Sequence, residues 1–398
     1  MPTDTTTKIR CALCAFEGHY IGAHIESAHG MTVADYVAAH GAVTSDKVAV
    51  ALSVDAPKRR GHPNPDSIRV DFAGVKARVN ADVPAEACLP LPPAYRVPQY
   101  GALASDIKEA AVALHRGRSM YVWGLPGAGK DALFHGWSAM TRTPALIFQV
   151  EPGADVRAWF FTHEFDANGT KWAEGELLKA LRDGYTTSTG RRIPYLILIT
   201  DFDRATKDQA ESMRLVMDSI NGRVKGPHGV TYPVLPGTQI VVTANTAGGG
   251  DSRGRCTSSN VIDASILDRF ERAFEFHWMD WRDESVIVRE KFPMLVARCS
   301  SVFDQVGNAT EALRKAILDE SLYAEFSHRA LCAWLGHAED IVAVTDSVPA
   351  DLLRRAFRSV VDKMPDPETR QEAVRIIDPH IRGGAMDEGG TGHIRNHR

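Results

Sequence analysis

Short blocks of apolar residues alternate with stretches of helical periodicity through the middle of the chain. The blocks have the length of buried strands and lie at 119–123, 145–150, 195–199 and 239–243. Apolar residues recur at helical spacing at 102–115, from 130 onward, at 176–182 and at 208–220. Because strands that alternate with helices form right-handed parallel units, the pattern predicts an α/β fold with a parallel sheet flanked by helices.

The segments on either side of this region have other patterns. Residues 68–79 alternate apolar and polar positions around an Ala-Gly pair, which predicts a β-hairpin. After 281 the apolar residues keep helical spacing, which predicts a helical C-terminal region, called the lid below. We therefore predict a small Cys- and His-rich module at 1–45, a linker with the hairpin at 46–90, the α/β core at 91–280, the lid at 281–380 and a disordered tail at 381–398.

Charge and composition exclude several classes of partner. The 398 residues carry 46 basic and 50 acidic side chains, a net charge of −4, so no general field attracts nucleic acid or an anionic membrane. No apolar run has the length of a signal peptide or a membrane span, so we expect a cytoplasmic protein without membrane contact. Only Cys11 and Cys14 of the six cysteines are close in sequence, and we expect the other four to be reduced core residues.

A glycine-rich stretch connects the block at 119–123 to the helix that begins near 130. It fits the phosphate-loop spacing G-x-x-x-x-G-K with the residues Gly124, Leu125, Pro126, Gly127, Ala128, Gly129 and Lys130. Glycines let backbone N–H groups turn toward phosphates, the helix N-terminus adds partial positive charge, and the lysine reaches the outer phosphates. The motif therefore predicts ATP binding. The next residue is Asp131, where the motif has Ser or Thr as a ligand of Mg²⁺.

The apolar block at 195–199 is followed by Thr200 and Asp201, at the positions where nucleotide hydrolases carry an Asp-Glu pair. The first residue of that pair helps to hold Mg²⁺, and the second polarises the attacking water. We interpret Asp131 and Thr200 as an exchange of carboxylate and hydroxyl between two facing metal positions, with Asp201 as the catalytic carboxylate. Two alternatives stay open: an enzyme that binds nucleotide but hydrolyses it poorly, and a shifted register in which Asp201 holds the metal and Asp203 is the base.

Over positions 97–336 the motifs resemble those of the MoxR branch of AAA+ ATPases, and most of all the ATPase subunit of cobaltochelatase, CobS. The resemblance implies that Asn245, which ends the sequence VVTAN, orients the attacking water as sensor 1. It also implies that Arg329, in the sequence SHR, is sensor 2. Arg269 matches the arginine finger that reaches the ATP of a neighbouring subunit, and Arg272 is the second candidate for this role. The active site would then be complete only in a homo-oligomeric ring, which in this family is a hexamer.

Two insertions extend the same resemblance. Residues 151–181 contain an aromatic triplet and a turn at 166–169, and they resemble the family's insertion within helix 2, which faces the central pore. Residues 222–239 resemble the family's pre-sensor insert. The resemblance implies a motor that remodels a partner protein, and the partner is a metal chelatase if the likeness to CobS extends that far.

A zinc site is predicted near the start of the chain. Cys11 and Cys14, followed by His24 and His29, have the order and approximate spacing of a zinc knuckle. The sequence GMTVADY at 30–36 resembles the finger of Ros/MucR-type bacterial regulators. Because the intervening helix offers few side chains that read base edges, we favour a structural or partner-binding knuckle that holds Zn²⁺ over one that binds DNA.

These observations leave three functions. The first is a ring-forming ATPase that uses Mg²⁺ and ATP to remodel an unidentified partner protein. The second is a DNA-associated ATPase in replication, repair or regulation, targeted by the finger. The third is a nucleotide-bound scaffold with little turnover.

Overall fold

The computed structural model describes residues 68–166, 169–250 and 259–381, together with short stretches between positions 9 and 39. The chain divides into two compact units, 1–63 and 64–398. Within the described residues, no helix is both long enough and apolar enough to cross a bilayer.

The first unit contains a small antiparallel pairing between Ile9–Arg10 and Glu17–Gly18. These two strands bracket the predicted ligands Cys11 and Cys14 in sequence. Both cysteines and His24 lie outside the described residues, whereas His29 lies within them. The described parts of the chain contain no group of three or more His, Cys, Asp or Glu side chains that could hold a metal ion, so the zinc site stays a prediction.

The second unit mixes strands and helices. Its strands are β1 (Arg69–Phe72), β2 (Val75–Arg78), β3 (Met120–Gly124), β4 (Ala145–Gln149), β5 (Phe161–Asp166), β6 (Gly169–Glu174), β7 (Leu196–Thr200), β8 (Arg223–Lys225), β9 (Thr231–Pro233), β10 (Gln239–Ala244) and β11 (Arg272–Phe276). Its helices are α1 (Gly101–His115), α2 (Lys130–Thr141), α3 (Glu176–Asp183), α4 (Lys207–Ser212), α5 (Arg214–Ile220), α6 (Ala264–Leu267), α7 (Trp281–Lys291), α8 (Pro293–Cys299), α9 (Val302–Leu318), α10 (His328–Val344), α11 (Leu352–Val361) and α12 (Pro367–Ile381). The two-residue strands Tyr185–Thr186 and Arg192–Ile193 also pair, and short 3-10 turns lie at Ala85–Ala87, Phe202–Arg204 and Pro227–Gly229.

Five parallel strands form the central sheet in the order β11-β3-β10-β7-β4. Numbered along the chain, these strands stand in the order 5-1-4-3-2. The predicted parallel sheet flanked by helices is therefore confirmed. Because β3, β10 and β7 lie side by side, their carboxyl ends meet at one edge of the sheet, directly before the phosphate loop, Asn245 and Asp201.

Side chains on the two faces of the sheet enter separate apolar clusters. Leu196 and Leu198 of β7 pack on one face with Leu133 and Phe134 of α2. The alternating residues of the same strand pack on the other face with buried residues of α3 and α5. Strands that are covered on both faces read as continuous apolar runs, which is why four of the five were visible in the sequence.

The fifth strand of the sheet, β11, had no clear apolar block. It lies at the edge of the sheet and pairs only with β3, and three of its five residues are exposed. The helix predicted at 208–220 is divided at Met213 into α4 and α5. The hairpin of β1 and β2 and the helical region after 281 are present as predicted.

The six helices from α7 to α12 enclose their own apolar cluster. The fully buried rings of Phe326, Trp334 and Phe357 lie near its centre, with centroids 4.8–6.4 Å apart. The indole N–H of Trp334 donates to the Leu353 carbonyl oxygen at 2.8 Å, which satisfies the one polar atom of that ring. This cluster makes the lid a packed body that can present α10 to the phosphate loop.

Candidate nucleotide-binding site

The phosphate loop has a backbone that glycine alone accommodates at two positions. Gly124 has a φ of 150°, and a Cβ there would lie 2.1 Å from the Phe276 carbonyl oxygen on β11. Gly127 has a φ of 71°, and a Cβ there would lie 2.5 Å from the Cβ of Ser327. The loop is therefore packed between the edge strand of the sheet on one side and the start of α10 on the other.

The first turn of α2 presents backbone N–H groups without a side-chain cap. Its N-cap is Gly129, in the left-handed conformation, which has no side chain to accept from these groups. The first N–H groups of a helix have no partner within the helix, and the helix dipole adds partial positive charge there. Together these features favour the binding of an anion such as a phosphate.

Lys130 holds its ammonium group at the mouth of the loop. Nζ donates to the Gly124 carbonyl oxygen at 2.7 Å, to the Leu125 carbonyl oxygen at 3.2 Å and to Asn245 Oδ1 at 3.0 Å. Asn245 directly follows β10, which lies beside β3 in the sheet. The structure thus brings the predicted sensor 1 residue into contact with the predicted phosphate-binding lysine.

A polar cavity of about 340 Å³ opens beside these groups. It is lined by residues 126–132, Asp201, residues 243–245, His328 and Arg329. The loop, Asp201, Asn245 and Arg329 were singled out from separate parts of the sequence, and all of them line this one cavity. Thr200 and Arg269 are not among the described residues that line it.

The carboxylate of Asp131 faces the sheet. Its Oδ1 accepts a hydrogen bond from Thr243 Oγ1 at 2.8 Å. The strand register places Thr200 beside Thr243 at the ends of the neighbouring strands β7 and β10. Because side chains alternate along a strand, both residues belong to the face of the sheet that packs on α2. Carboxylate and hydroxyl oxygens are ligands that Mg²⁺ accepts, so the donor set here suits that ion. The hydroxyl in contact with Asp131 belongs to Thr243, which sequence reasoning missed, rather than to Thr200.

Asp201 has an unusual backbone conformation at the end of β7. Its φ of 55° and ψ of 36° are left-handed, a conformation that costs energy for a residue with a side chain. Its Oδ2 accepts from Gln149 Nε2 at 3.1 Å, so the last residue of β4 orients this carboxylate. Asp201 therefore projects into the cavity in a fixed direction. Gln149 was not identified from the sequence because no motif marks it.

Asp203 has a structural position instead. Its side chain is fully buried, and Oδ2 accepts from the Asn245 backbone N–H at 3.1 Å, from Thr246 Oγ1 at 3.2 Å and from Ser259 Oγ at 2.6 Å. It does not line the cavity. Asp201 thus faces the cavity, whereas Asp203 supports the backbone at Asn245.

The lid side of the loop contains a buried ion-pair cluster. The fully buried carboxylate of Glu284 on α7 accepts from two Arg314 guanidinium nitrogens at 2.6 and 3.0 Å, and Oε1 lies 2.8 Å from His328 Nδ1. Burial acts to raise the pKa of Glu284, but the His328 hydrogen bond and the Arg314 charge outweigh it and hold that pKa below its usual range. Burial acts to lower the pKa of His328, but hydrogen bonds to Cys332 and Glu284 raise it to about 9. His328 is therefore charged at neutral pH.

A second cavity, of about 170 Å³, lies on the other side of residues 127–129. Its walls come from the proline-rich segment 92–98, from Leu103 and Ile107 of α1, and from Met279 and Ile287. The lining is mainly apolar, which suits a flat organic ring such as a nucleobase. The two cavities share the loop glycines and His328, so one ligand can occupy both with its phosphates in the polar cavity.

The two candidate arginine fingers lie away from both cavities. Arg269 follows α6 and is exposed. Arg272, at the start of β11, is also exposed, and its guanidinium donates to the Glu271 carbonyl oxygen at 2.7 Å. Neither side chain lines the cavities of its own chain.

Comparison with solved structures finds overall similarity at low sequence identity. A RuvB mutant of Thermotoga maritima has a TM-score of 0.44 and 13% identity, covering 67% of this chain and 71% of that chain. A putative ATPase from Cytophaga hutchinsonii has a TM-score of 0.33 and 12% identity, covering 67% of this chain and 87% of that chain. No protein-family model and no curated protein sequence matches the chain. Because these overall similarities are weak, the function must be inferred from the site's own residues.

Proposed function

We propose that the protein binds ATP with Mg²⁺ across its two cavities and hydrolyses it. The observation that carries this proposal is the position of Lys130, whose ammonium group lies between the uncapped start of α2 and Asn245, at the edge of the polar cavity. The loop amides and Lys130 bind the phosphates, and the apolar cavity takes the adenine ring. Such an arrangement positions and neutralises a triphosphate, which is most of what phosphoryl transfer requires from a protein.

Each remaining residue of the polar cavity has a role in this proposal. Asp131, with the hydroxyl of Thr243 or Thr200, would hold Mg²⁺, which neutralises charge on the phosphate oxygens when bound. Asp201, oriented by Gln149, accepts a proton from the attacking water. Arg329 adds positive charge from the lid.

We further propose that the protein acts as a homo-oligomeric ring, with six subunits as the family resemblance implies. Arg269 is exposed and lies outside both cavities of its own chain, which suits a residue that completes a neighbour's site. The β5–β6 hairpin offers a contact for a partner protein, since Trp172 is 47% exposed and stacks on His163 with centroids 3.8 Å apart. A metal chelatase is the partner class that the CobS resemblance implies, and Cys11, Cys14, His24 and His29 remain the proposed zinc ligands.

The test of this proposal measures ATP binding and steady-state turnover separately. Wild type should bind ATP and hydrolyse it with Mg²⁺, and Asp201→Asn should bind ATP with similar affinity and lose turnover by about 100-fold or more. If Asp131 and Thr200 exchange roles, Asp131→Thr and Thr200→Asp should each lose turnover and the double variant should recover it. Loss in both single variants without recovery would reject that exchange and leave Thr243 as the hydroxyl partner of Asp131.

A nucleotide-bound scaffold with weak hydrolysis is the second candidate function. It is favoured by the position of Thr200 outside the cavity lining, which leaves the usual acidic metal position without a carboxylate in contact with the site. Tight ATP binding by wild type without measurable turnover, in the presence of Mg²⁺ and at concentrations that form a ring, would support this candidate over the motor.

A further inference from the structure

In the lid, a thiol contacts an imidazole, which in turn contacts a carboxylate. Cys332 and His328 are one turn apart on α10, and Cys332 Sγ lies 3.4 Å from His328 Nε2. The other ring nitrogen, Nδ1, lies 2.8 Å from Oε1 of the fully buried Glu284. Glu284 is fixed in turn by Arg314, so the ring cannot rotate without breaking a buried contact.

This arrangement activates the thiol of Cys332. Because Nδ1 donates to Glu284, Nε2 is directed at Sγ, where a charged imidazole stabilises the thiolate. The ammonium group of Lys291, at the end of α7, acts on the same sulfur. Burial acts to raise the pKa of Cys332, but His328 and Lys291 outweigh it and lower that pKa.

The other described cysteines provide an internal contrast. Cys88 and Cys299 are buried to a similar degree as Cys332, and for both of them burial raises the pKa. Neither has a histidine partner among the described residues. Partial burial therefore does not account for the lowered pKa of Cys332, whereas its contacts with His328 and Lys291 do.

The thiol is also connected to the proposed nucleotide site. His328 lines both cavities, and the preceding residue, Ser327, packs directly against Gly127 of the phosphate loop. Oxidation replaces the thiolate that contacts His328 Nε2 by a neutral sulfenic acid, so the charged ring loses one of its two partners. The ring, which lies between the two cavities, is then held less firmly.

We propose that Cys332 is a redox modification site, at which a hydroperoxide oxidises the thiol and thereby weakens nucleotide binding. The thiolate attacks one peroxide oxygen, so that an S–O bond forms and the O–O bond breaks. Sulfur loses two electrons and becomes a sulfenic acid, and the departing oxygen takes the proton from His328 Nε2 and leaves as water or an alcohol. The coupling to nucleotide rests on the proposed function, whereas the reactivity of the thiol does not.

The first experiment measures thiol reactivity in the full-length chain. Brief treatment with iodoacetamide at neutral pH, followed by peptide mapping, gives a separate alkylation rate for each cysteine. Cys332 should react at least about tenfold faster than Cys299, and the His328→Gln variant should bring the Cys332 rate close to that of Cys299. An unchanged Cys299 rate in the variant shows that the lid is still folded. Equal rates for Cys332 and Cys299 in wild type would overturn the proposal.

The second experiment measures the effect on nucleotide. Protein treated with hydrogen peroxide until Cys332 is oxidised should bind a fluorescent ATP analogue about tenfold more weakly, equivalent to about 1.4 kcal/mol. Cys332→Ser should keep its affinity after the same treatment, and Cys299→Ser should lose it as wild type does. Equal loss in Cys332→Ser would contradict the coupling. A protein that binds no nucleotide before treatment would contradict both the proposed function and the coupling, while the alkylation rates would still decide whether Cys332 is the activated thiol.

Discussion

The two walls of the phosphate loop differ in construction. On the sheet side, Thr243 and Asn245 lie in or directly after β10, Asp131 lies in the first turn of α2, and all three present polar atoms to an open cavity. On the lid side, Glu284 of α7 and Arg314 of α9 are 30 positions apart in the sequence, and both side chains are almost fully buried. Both walls contribute residues to the cavities, but on the lid side the buried Glu284–Arg314 pair also holds His328 of α10 in place.

This difference has an energetic consequence. A polar side chain that lines an open cavity is solvated with or without its neighbours, so its replacement costs little stability. A buried ion is different, because the loss of its counter-ion leaves an uncompensated charge in a medium of low dielectric constant. Substitutions on the sheet side should therefore change function at constant stability, and substitutions on the lid side should change stability first.

The largest effect is expected for Glu284→Gln. The amide keeps the shape of the side chain but leaves the Arg314 guanidinium, 9% exposed, without a counter-charge. The free energy of unfolding measured by chemical denaturation should fall by about 3–5 kcal/mol.

The matched control is Asp378→Asn, which removes the partner of Arg354 on the surface of the same lid. Those side chains are 29% and 62% exposed, so the loss should stay below about 1 kcal/mol. Similar losses in the two variants would show that burial does not set the contribution of the Glu284–Arg314 pair to stability.

Asp131→Asn tests the sheet wall. The amide oxygen can still accept from Thr243, so the fold is retained, but the charge that attracts Mg²⁺ is lost. At limiting Mg²⁺ turnover should fall by about 100-fold, equivalent to about 2.7 kcal/mol, because metal-site changes typically cost 10–100-fold. The unfolding free energy should stay within about 0.5 kcal/mol of wild type, as should that of the exposed control Asp208→Asn. A stability loss as large as that of Glu284→Gln would show that Asp131 is a structural residue.

His328→Gln should have a smaller effect with a distinctive pH dependence. The folded pKa of His328, about 9, lies above its ordinary value of 6.5, so the charged ring stabilises the fold fully below about pH 6.5, and this contribution is lost as pH rises through 9. Because 34% of the side chain is exposed, solvent screening reduces the contribution to about 1–2 kcal/mol.

The measurement is the unfolding free energy of wild type and variant from pH 6 to pH 10. His337→Gln, on the same helix, controls for the loss of an imidazole. A difference between wild type and His328→Gln that is constant over this range would show that the Glu284–His328 pair does not act through charge.

The sheet side of the site was accessible from the sequence because its signals are local. Strands buried on both faces are continuous apolar runs, and the residues of the loop, Asp201 and Asn245 follow such runs directly. Residues that end neighbouring parallel strands must meet at one edge, so their proximity follows from the fold. This is why four of the five strands and most of the polar cavity were predicted.

The lid side was not accessible in the same way. Glu284, Arg314 and His328 belong to three helices, and nothing in their local sequence indicates that they meet. Gln149 and Thr243 were missed on the sheet side for a related reason. The contact of Gln149 with Asp201 depends on strand register, and the contact of Thr243 with Asp131 depends on the packing of α2 against the sheet, so no motif marks either residue. The edge strand β11 was missed because only one of its faces is covered.

The account depends most directly on Lys130, and equilibrium ATP binding to Lys130→Ala tests it. Wild type and the control Lys108→Ala, an exposed position on α1, should bind ATP with equal affinity, because the lysine in contact with the loop carbonyls and Asn245 is Lys130. Lys130→Ala should bind about 100-fold more weakly, since it lacks a charge-assisted contact to the phosphates. Binding of ATP by Lys130→Ala as tight as that of wild type, or no binding by wild type, would contradict the account.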